Sequence, residues 1–137
     1  QGFLADADRM TARVVAALET GRRDILAHPT GRLLLGRDPY ALHVGAVIDA
    51  ARAHDVALEI NAAPDRLDLS DVHARLAVDR GALLAINTDA HALDHLQFLR
   101  FGVLTARRGW VRAESVINTW PLTRLRNWLR ERRKRLS

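Results

Sequence analysis

Three short runs dominated by apolar residues, at 24–27, 56–61 and 83–87, recur along the chain with helical patterns between them, and this alternation constrains the fold most. Strand, helix and strand in series imply a parallel sheet with crossover helices, because parallel neighbours cannot be joined by a tight turn. The runs are nearly continuous in apolar character, as in a sheet covered on both faces. The expected class is α/β.

The helical stretches have their own signals. Asp6 or Asp8 is positioned to cap a first helix that runs to about Glu19, with Val14, Val15 and Leu18 on its inner face and Thr20-Gly21 as its stop. After strand one, a loop over residues 29–37 leads to Asp38-Pro39, a helix start with proline just inside it; that helix continues to about His54 and buries Leu42, Val47, Ile48 and Ala51. Ser70 is the expected cap of a third helix carrying Val72, Leu76 and Ala77 up to Gly81. A further helical stretch is expected around residues 93–101, whereas 102–119 has no clean period because Arg107-Arg108-Gly109-Trp110 interrupts it. Trp120, Leu122, Leu125, Trp128 and Leu129 then form an apolar stripe at helical spacing, so a terminal helix docks on the body.

The length of 137 residues suits one domain with one modest core. A complete parallel barrel typically needs about 250 residues, so a barrel reading makes this chain part of one. There is no cysteine, which excludes a disulfide framework and any thiolate zinc site. No apolar run approaches the roughly 20 residues that span a bilayer, and no charged-then-apolar leader opens the chain. A cytoplasmic protein without membrane partners is the expectation.

The net charge of +5 is unevenly placed: residues 1–99 carry −4, whereas residues 100–137 carry +9. Arg124, Arg126, Arg130, Arg132, Arg133, Lys134 and Arg135 make a dense basic tail. Either it meets nucleic-acid phosphates, with Arg130, Arg132, Arg133 and Arg135 as the DNA-binding candidates, or it is a solvated helix end whose cations complement the helix dipole.

Two of the strands end in metal-ligand chemistry. Strand one ends at His28, and strand three runs into Asp89-Ala90-His91. In an α/β barrel the loops after the strands form the mouth, and the strands hold the ligands rigidly, so a metal-dependent hydrolase is the first hypothesis. Singly, each residue has a structural alternative: His28 caps a strand, and Asp89 and His91 fix a turn. Together they converge on one ion only if their strands are neighbours or nearly so, and carboxylate with imidazole suits Mn²⁺, Zn²⁺ or Fe²⁺.

Other residues weigh less. His43, His54 and His73 fall in helical patterns and are expected at the surface, while His95 lies one turn after His91. Glu59, between Leu58 and Ile60, is an acid in a parallel strand and needs a polar interior or a basic partner. Arg32, Arg37 and Arg66 follow strand ends on loops, where a planar guanidinium can grip phosphate oxygens; Arg32 and Arg66 are the favoured substrate-binding candidates.

Four segments in order carry a resemblance across nearly the whole chain: Ala27-His28-Pro29-Thr30-Gly31-Arg32-Leu33-Leu34, Leu58-Glu59-Ile60-Asn61-Ala62, Asn87-Thr88-Asp89-Ala90-His91 and Thr105-Ala106-Arg107-Arg108-Gly109-Trp110. Together they resemble the C-terminal half of the polymerase-and-histidinol-phosphatase (PHP) domain, in the version found in bacterial family X DNA polymerases. The resemblance implies a distorted seven-stranded βα barrel with a multinuclear Mn²⁺ or Zn²⁺ cluster that hydrolyses phosphoesters. For the polymerase version it implies a 3′→5′ exonuclease used in DNA repair, acting by metal-activated water. Carried over by motif, His28, Asp89 and His91 are the metal and catalytic residues. Ala27 and Ala92 depart mildly, standing where glycine and serine are frequent in the family.

The remaining family ligands lie upstream of these motifs. Residues 1–137 are therefore expected to be the C-terminal portion of the domain, an incomplete barrel inactive alone, with the upstream half, the polymerase core and DNA as partners. A free-standing phosphatase for a small phosphomonoester such as histidinol phosphate and a non-catalytic DNA-binding scaffold are the alternatives.

Overall fold

A parallel three-stranded sheet in the order β1-β2-β3 organises the computed structural model, which describes residues 2–136. The elements are α1 (Gly2–Glu19), β1 (Ile25–Leu26), α2 (Val44–Ala53), β2 (Ala57–Asn61), α3 (Asp71–Asp79), β3 (Leu84–Asn87), α4 (Leu99–Arg108) and α5 (Leu122–Lys134). A 3₁₀ segment, Leu93–Phe98, leads into α4, and two single 3₁₀ turns precede α5. The class is α/β, as the alternating pattern requires.

The two faces of the sheet differ in a way that sets up the site. Leu58, Ile60, Leu84 and Ile86 enter the main core with Leu18, Val47, Ile48, Ala51, Ala77 and Ala106 from the surrounding helices. Successive strand residues face opposite ways, so Ala57, Glu59, Asn61 and Ala85 lie on the other face. There Ala57 and Ala85 pack under Ile117, Trp120, Leu125 and Trp128, while Glu59 and Asn61 remain as buried polar groups toward the C-terminal strand ends. Apolar side chains cover the start of that face, and polar side chains occupy its end.

Local signals explain most boundaries. The Ser70 hydroxyl accepts the His73 backbone N–H at 3.2 Å, the expected cap of α3, and Asp71 complements the dipole in the first turn. Gly102 sits in α4 where an added Cβ would stand 2.5 Å from the Ile86 side chain and 2.9 Å from that of Ala62. Close helix-to-sheet packing there carries α4 well past the expected end near residue 101. On the outer edge of β3, Asn118 receives the Ile86 N–H at 2.8 Å and returns its own amide to the Ile86 carbonyl at 2.9 Å, substituting for a neighbouring strand.

Several expectations need correction. Helix α2 begins at Val44 rather than at Asp38-Pro39. The Arg37 guanidinium bonds the Gly31 carbonyl and lies 5.4 Å from the Tyr40 ring, and the Tyr40 N–H bonds the Thr30 carbonyl at 2.8 Å, so this segment folds back as a loop. Helix α1 already runs from Gly2, so Asp6 and Asp8 lie inside it, pairing with Arg9 and with the His43 ring. Val72 and Leu122 face solvent at 71% and 60% exposure, and His73, expected at the surface, is half-buried.

Candidate functional site

Glu59 is the polar centre of the sheet face that it shares with Ala57, Asn61 and Ala85. One carboxylate oxygen accepts the His28 backbone N–H at 2.6 Å and the Asn61 side-chain amide at 3.3 Å; the other accepts the Asn87 amide at 3.0 Å. Asn61 and Asn87 are register partners at the ends of β2 and β3, which is why both amides reach one acid. A buried carboxylate is costly unless its lone pairs are filled, and here backbone and amide donors fill them in place of a cation. The Asn61 amide also stands 3.2 Å from Asp89 Oδ2, and its carbonyl accepts the Ala63 N–H at 3.1 Å. One hydrogen-bonded network thus joins the ends of all three strands.

His28 and Asp89 both hold left-handed backbone conformations, at φ 31° and 54°. Histidine and aspartate tolerate that region better than most residues, and such strain persists only where the surroundings over-determine it. The Asp89 backbone carbonyl lies 2.6 Å from Nδ1 of His91. A carbonyl only accepts, so Nδ1 carries the proton, and in the neutral ring Nε2 is then the nitrogen with a lone pair for a cation. The His91 backbone N–H donates to Nδ1 of His95 at 3.2 Å, and the His95 ring stacks on Phe98 at 5.0 Å.

A hollow of about 420 Å³ opens here, lined by Asp65, Arg66, Asp89, His91, His95 and Phe98 among others. Arg66 Nε is 3.7 Å from Asp89 Oδ2, and Arg66 Nη1 is buried with no hydrogen-bond partner among the described residues. The structure therefore brings Asp89, His91 and Arg66 together. His28 is linked to them through Glu59 and Asn61 but does not line the hollow. Among the described residues no three His, Cys, Asp or Glu side chains converge tightly enough to hold a metal ion. Asp89 and His91 are residue types that can bind a divalent ion, and no third such side chain joins them in a metal-sized cluster among the described residues.

Arg32, the second phosphate candidate, is committed to the fold. Its Nε donates to the Arg66 carbonyl at 2.8 Å and its Nη2 to the Leu67 carbonyl, so it braces the loop that carries Arg66. Beneath that loop, Asp68 is fully buried and accepts the backbone N–H groups of Thr30 at 3.0 Å and Gly31 at 2.9 Å. Burial pushes its carboxyl above the ordinary value, against the hydrogen bonds of Thr30 and Gly31 and the positive charge of Arg32. Burial likewise holds His73 below the ordinary imidazole value; Asp68 opposes this and Arg32 reinforces it.

The basic tail divides. Arg130, Arg133 and Arg135 are exposed, but Arg132 is 3% exposed and faces inward. Its guanidinium lies 5.2 Å from the Trp128 ring, pairs with Asp24 at 3.1 Å and donates to the carbonyls of Arg23, His54 and Asp55. Arg132 fastens α5 to the starts of β1 and β2 and has no donor left for a phosphate on the surface. Sequence reasoning missed this, although the Trp128 to Arg132 spacing of one helical turn places both on the docking face.

Among the described residues, no helix is long and apolar enough to cross a membrane. No protein-family model matches the chain. It is 43% identical over 106 residues to the DNA polymerase/3′-5′ exonuclease PolX of Bacillus subtilis, which covers 77% of this chain and 19% of PolX. It is 36% identical over 95 residues to a probable phosphatase of Shewanella amazonensis, covering 64% of this chain and 36% of that protein. The chain thus spans well under half the length of either relative. The first of these names denotes an enzyme that acts on DNA and the second an enzyme that removes phosphate. The chain is PolX-related.

Proposed function

We propose that this chain is the C-terminal part of a PHP-type βα barrel that hydrolyses phosphodiesters at DNA 3′ ends, in the cytoplasm and alongside a polymerase core. The observation that carries the reading is the hollow beside β3, where the Arg66 guanidinium, its Nε 3.7 Å from Asp89, adjoins Asp89 and His91. A guanidinium beside a carboxylate and an imidazole suits a phosphate oxygen next to a cation. The relation to PolX supports DNA as substrate.

In this reading Asp89 and His91 hold one divalent ion, Mn²⁺ or Zn²⁺, and His28 serves a neighbouring position in a multinuclear cluster. When bound, such ions activate water and neutralise charge on the phosphate. Arg66 orients the phosphate, Glu59 and the two asparagines fix the strand ends, and Arg130, Arg133 and Arg135 meet the DNA backbone. The other ligands belong to further strands of the barrel, so the 137-residue chain alone, given excess Mn²⁺, is expected to show negligible phosphodiesterase activity.

The second reading is a phosphatase for a small phosphomonoester, favoured by the likeness to the probable phosphatase of Shewanella amazonensis. A protein carrying this chain together with the upstream half of the domain should be assayed with Mn²⁺ on 3′-ended DNA and on histidinol phosphate. Cleavage of DNA with little phosphomonoester turnover is expected; the reverse preference selects the second reading. Loss of both, in a folded protein that binds DNA, would leave a non-catalytic scaffold.

A further inference from the structure

The Arg107-Arg108-Gly109-Trp110 segment takes no part in the hollow at Asp89. Trp110 is 78% exposed, although a large aromatic side chain gains most from burial. Its backbone is left-handed, at φ 56°, a conformation costly for a bulky residue. The turn is nonetheless fixed. The N–H groups of Gly109, Trp110 and Val111 reach the carbonyls of Thr105, Arg107 and Ala106 at 3.0–3.1 Å, and Val111 packs against the main core. An added Cβ on Gly109 would stand 2.7 Å from the Asp71 carbonyl, so the turn is pressed against α3. The indole is held outward by a rigid support.

Trp110 lines a second hollow of about 410 Å³ with Arg75, Val78, Asp79, Arg112 and Glu114, sharing no residue with the first. Two of the nearby cations are already paired: Arg75 with Asp79 at 2.9 Å, and Arg108 with Asp71 at 3.1 Å. Arg107 and Arg112 are exposed and have no carboxylate within 4.0 Å among the described residues. Glu114, which also lines this hollow, lies outside any ion pair among the described residues, so Arg107 on the same turn, Arg112 and Glu114 together leave a net charge of +1 beside the indole.

An outward aromatic face between available arginines is the chemistry that receives single-stranded nucleic acid: a base stacks on the ring while its phosphates meet the guanidinium groups. We propose that Trp110 is a stacking platform for an unpaired nucleobase, with Arg107 and Arg112 taking the flanking phosphates. This rests on the reading of nucleic acid as the substrate and adds a second contact outside the hydrolytic hollow. Stacking uses the π face that every base has, so recognition here is indifferent to sequence.

The test uses the chain itself, with fluorescence anisotropy of a labelled oligothymidylate and of an abasic oligomer of equal length and charge. The parent chain should bind the oligothymidylate about tenfold more tightly, the scale of one stacked base. Trp110→Gly should abolish that preference, and because glycine adopts positive φ without penalty, it relieves the backbone and keeps the fold. Trp110→Phe should retain most of the preference. Arg112→Gln should make the slope of log affinity against log salt shallower by about 0.7, the value for one phosphate on a single strand.

Equal binding of the two oligomers by the parent chain would overturn the proposal. So would an unchanged preference in Trp110→Gly, which would leave the indole to a protein partner, and so would absence of binding to either oligomer. The phosphodiester reading itself stands or falls on cleavage, which these measurements do not score.

Discussion

The Glu59 carboxylate accepts the backbone N–H of His28 at 2.6 Å, so the middle strand holds the turn that carries an imidazole at the end of its neighbour. Because the same carboxylate receives Asn61 and Asn87, it ties three strand ends with one side chain. Glu59→Ala strands these donors in a buried site and should cost about 3 kcal/mol, since each unpaired buried group costs roughly 1–3 kcal/mol. Glu59→Gln keeps one acceptor and should cost less. Urea unfolding at constant m-value measures both, and a Glu59→Ala midpoint equal to that of the parent would remove Glu59 from this structural role.

Asp68 and His73 should make stability depend on pH with opposite signs. The folded Asp68 value is raised above 3.8, so its contribution is complete below 3.8 and is lost as pH rises through the raised value. Asp68→Asn keeps an oxygen for Thr30 and Gly31, and should gain on the parent as pH rises from 3.8 through the raised value. The folded His73 value lies below 6.5, so its contribution is complete above 6.5 and is lost as pH falls through the lowered value. His73→Gln should therefore lose less stability on acidification. Denaturation midpoints over a pH series decide this, and curves parallel to the parent would contradict it.

Arg132→Ala should destabilise by about 3 kcal/mol, the lower end for breaking a buried pair, because Asp24 is partly exposed and regains some solvent. Arg130→Ala and Arg133→Ala, on the exposed side of the same helix, should change stability by less than about 0.5 kcal/mol. Thermal or urea unfolding separates them. Equal effects at the three positions would mean that α5 is not docked through Arg132.

If the exposed part of the tail meets DNA phosphates, replacing Arg130, Arg133 and Arg135 together by glutamine should weaken duplex binding irrespective of sequence. The slope of log affinity against log salt should fall by about 2–3, close to one unit per lost phosphate contact. An unchanged slope would leave these residues as a solvated helix end.

The order of elements was legible because each strand is a distinct apolar run and Ser70 carries an unambiguous cap. The start of α2 was not, because Asp38-Pro39 has the local form of a helix start and the bonds that hold it as a loop come from Gly31 and Thr30, several residues back. Asp89 and His91 were legible from their place at a strand end. The Glu59 network was only half legible: the acid stood out, but its partnership with Asn61 and Asn87 depends on strand register. Arg32 and Arg66 look alike as loop arginines, and only the folded chain separates one that braces the loop through the Arg66 and Leu67 carbonyls from one whose Nε stands 3.7 Å from Asp89.

The central claim, that Asp89 belongs to a metal-dependent phosphodiesterase centre, is tested most directly by single-turnover cleavage of a 3′-end-labelled DNA in Mn²⁺ by the protein carrying this chain and the upstream half of the domain. Asp89→Ala should lower the rate by a hundredfold or more, since even residues that only support a metal ligand cost about 10–100-fold when lost. DNA binding and the unfolding midpoint should stay close to those of the parent. Cleavage at the parent rate by folded Asp89→Ala would contradict the assignment.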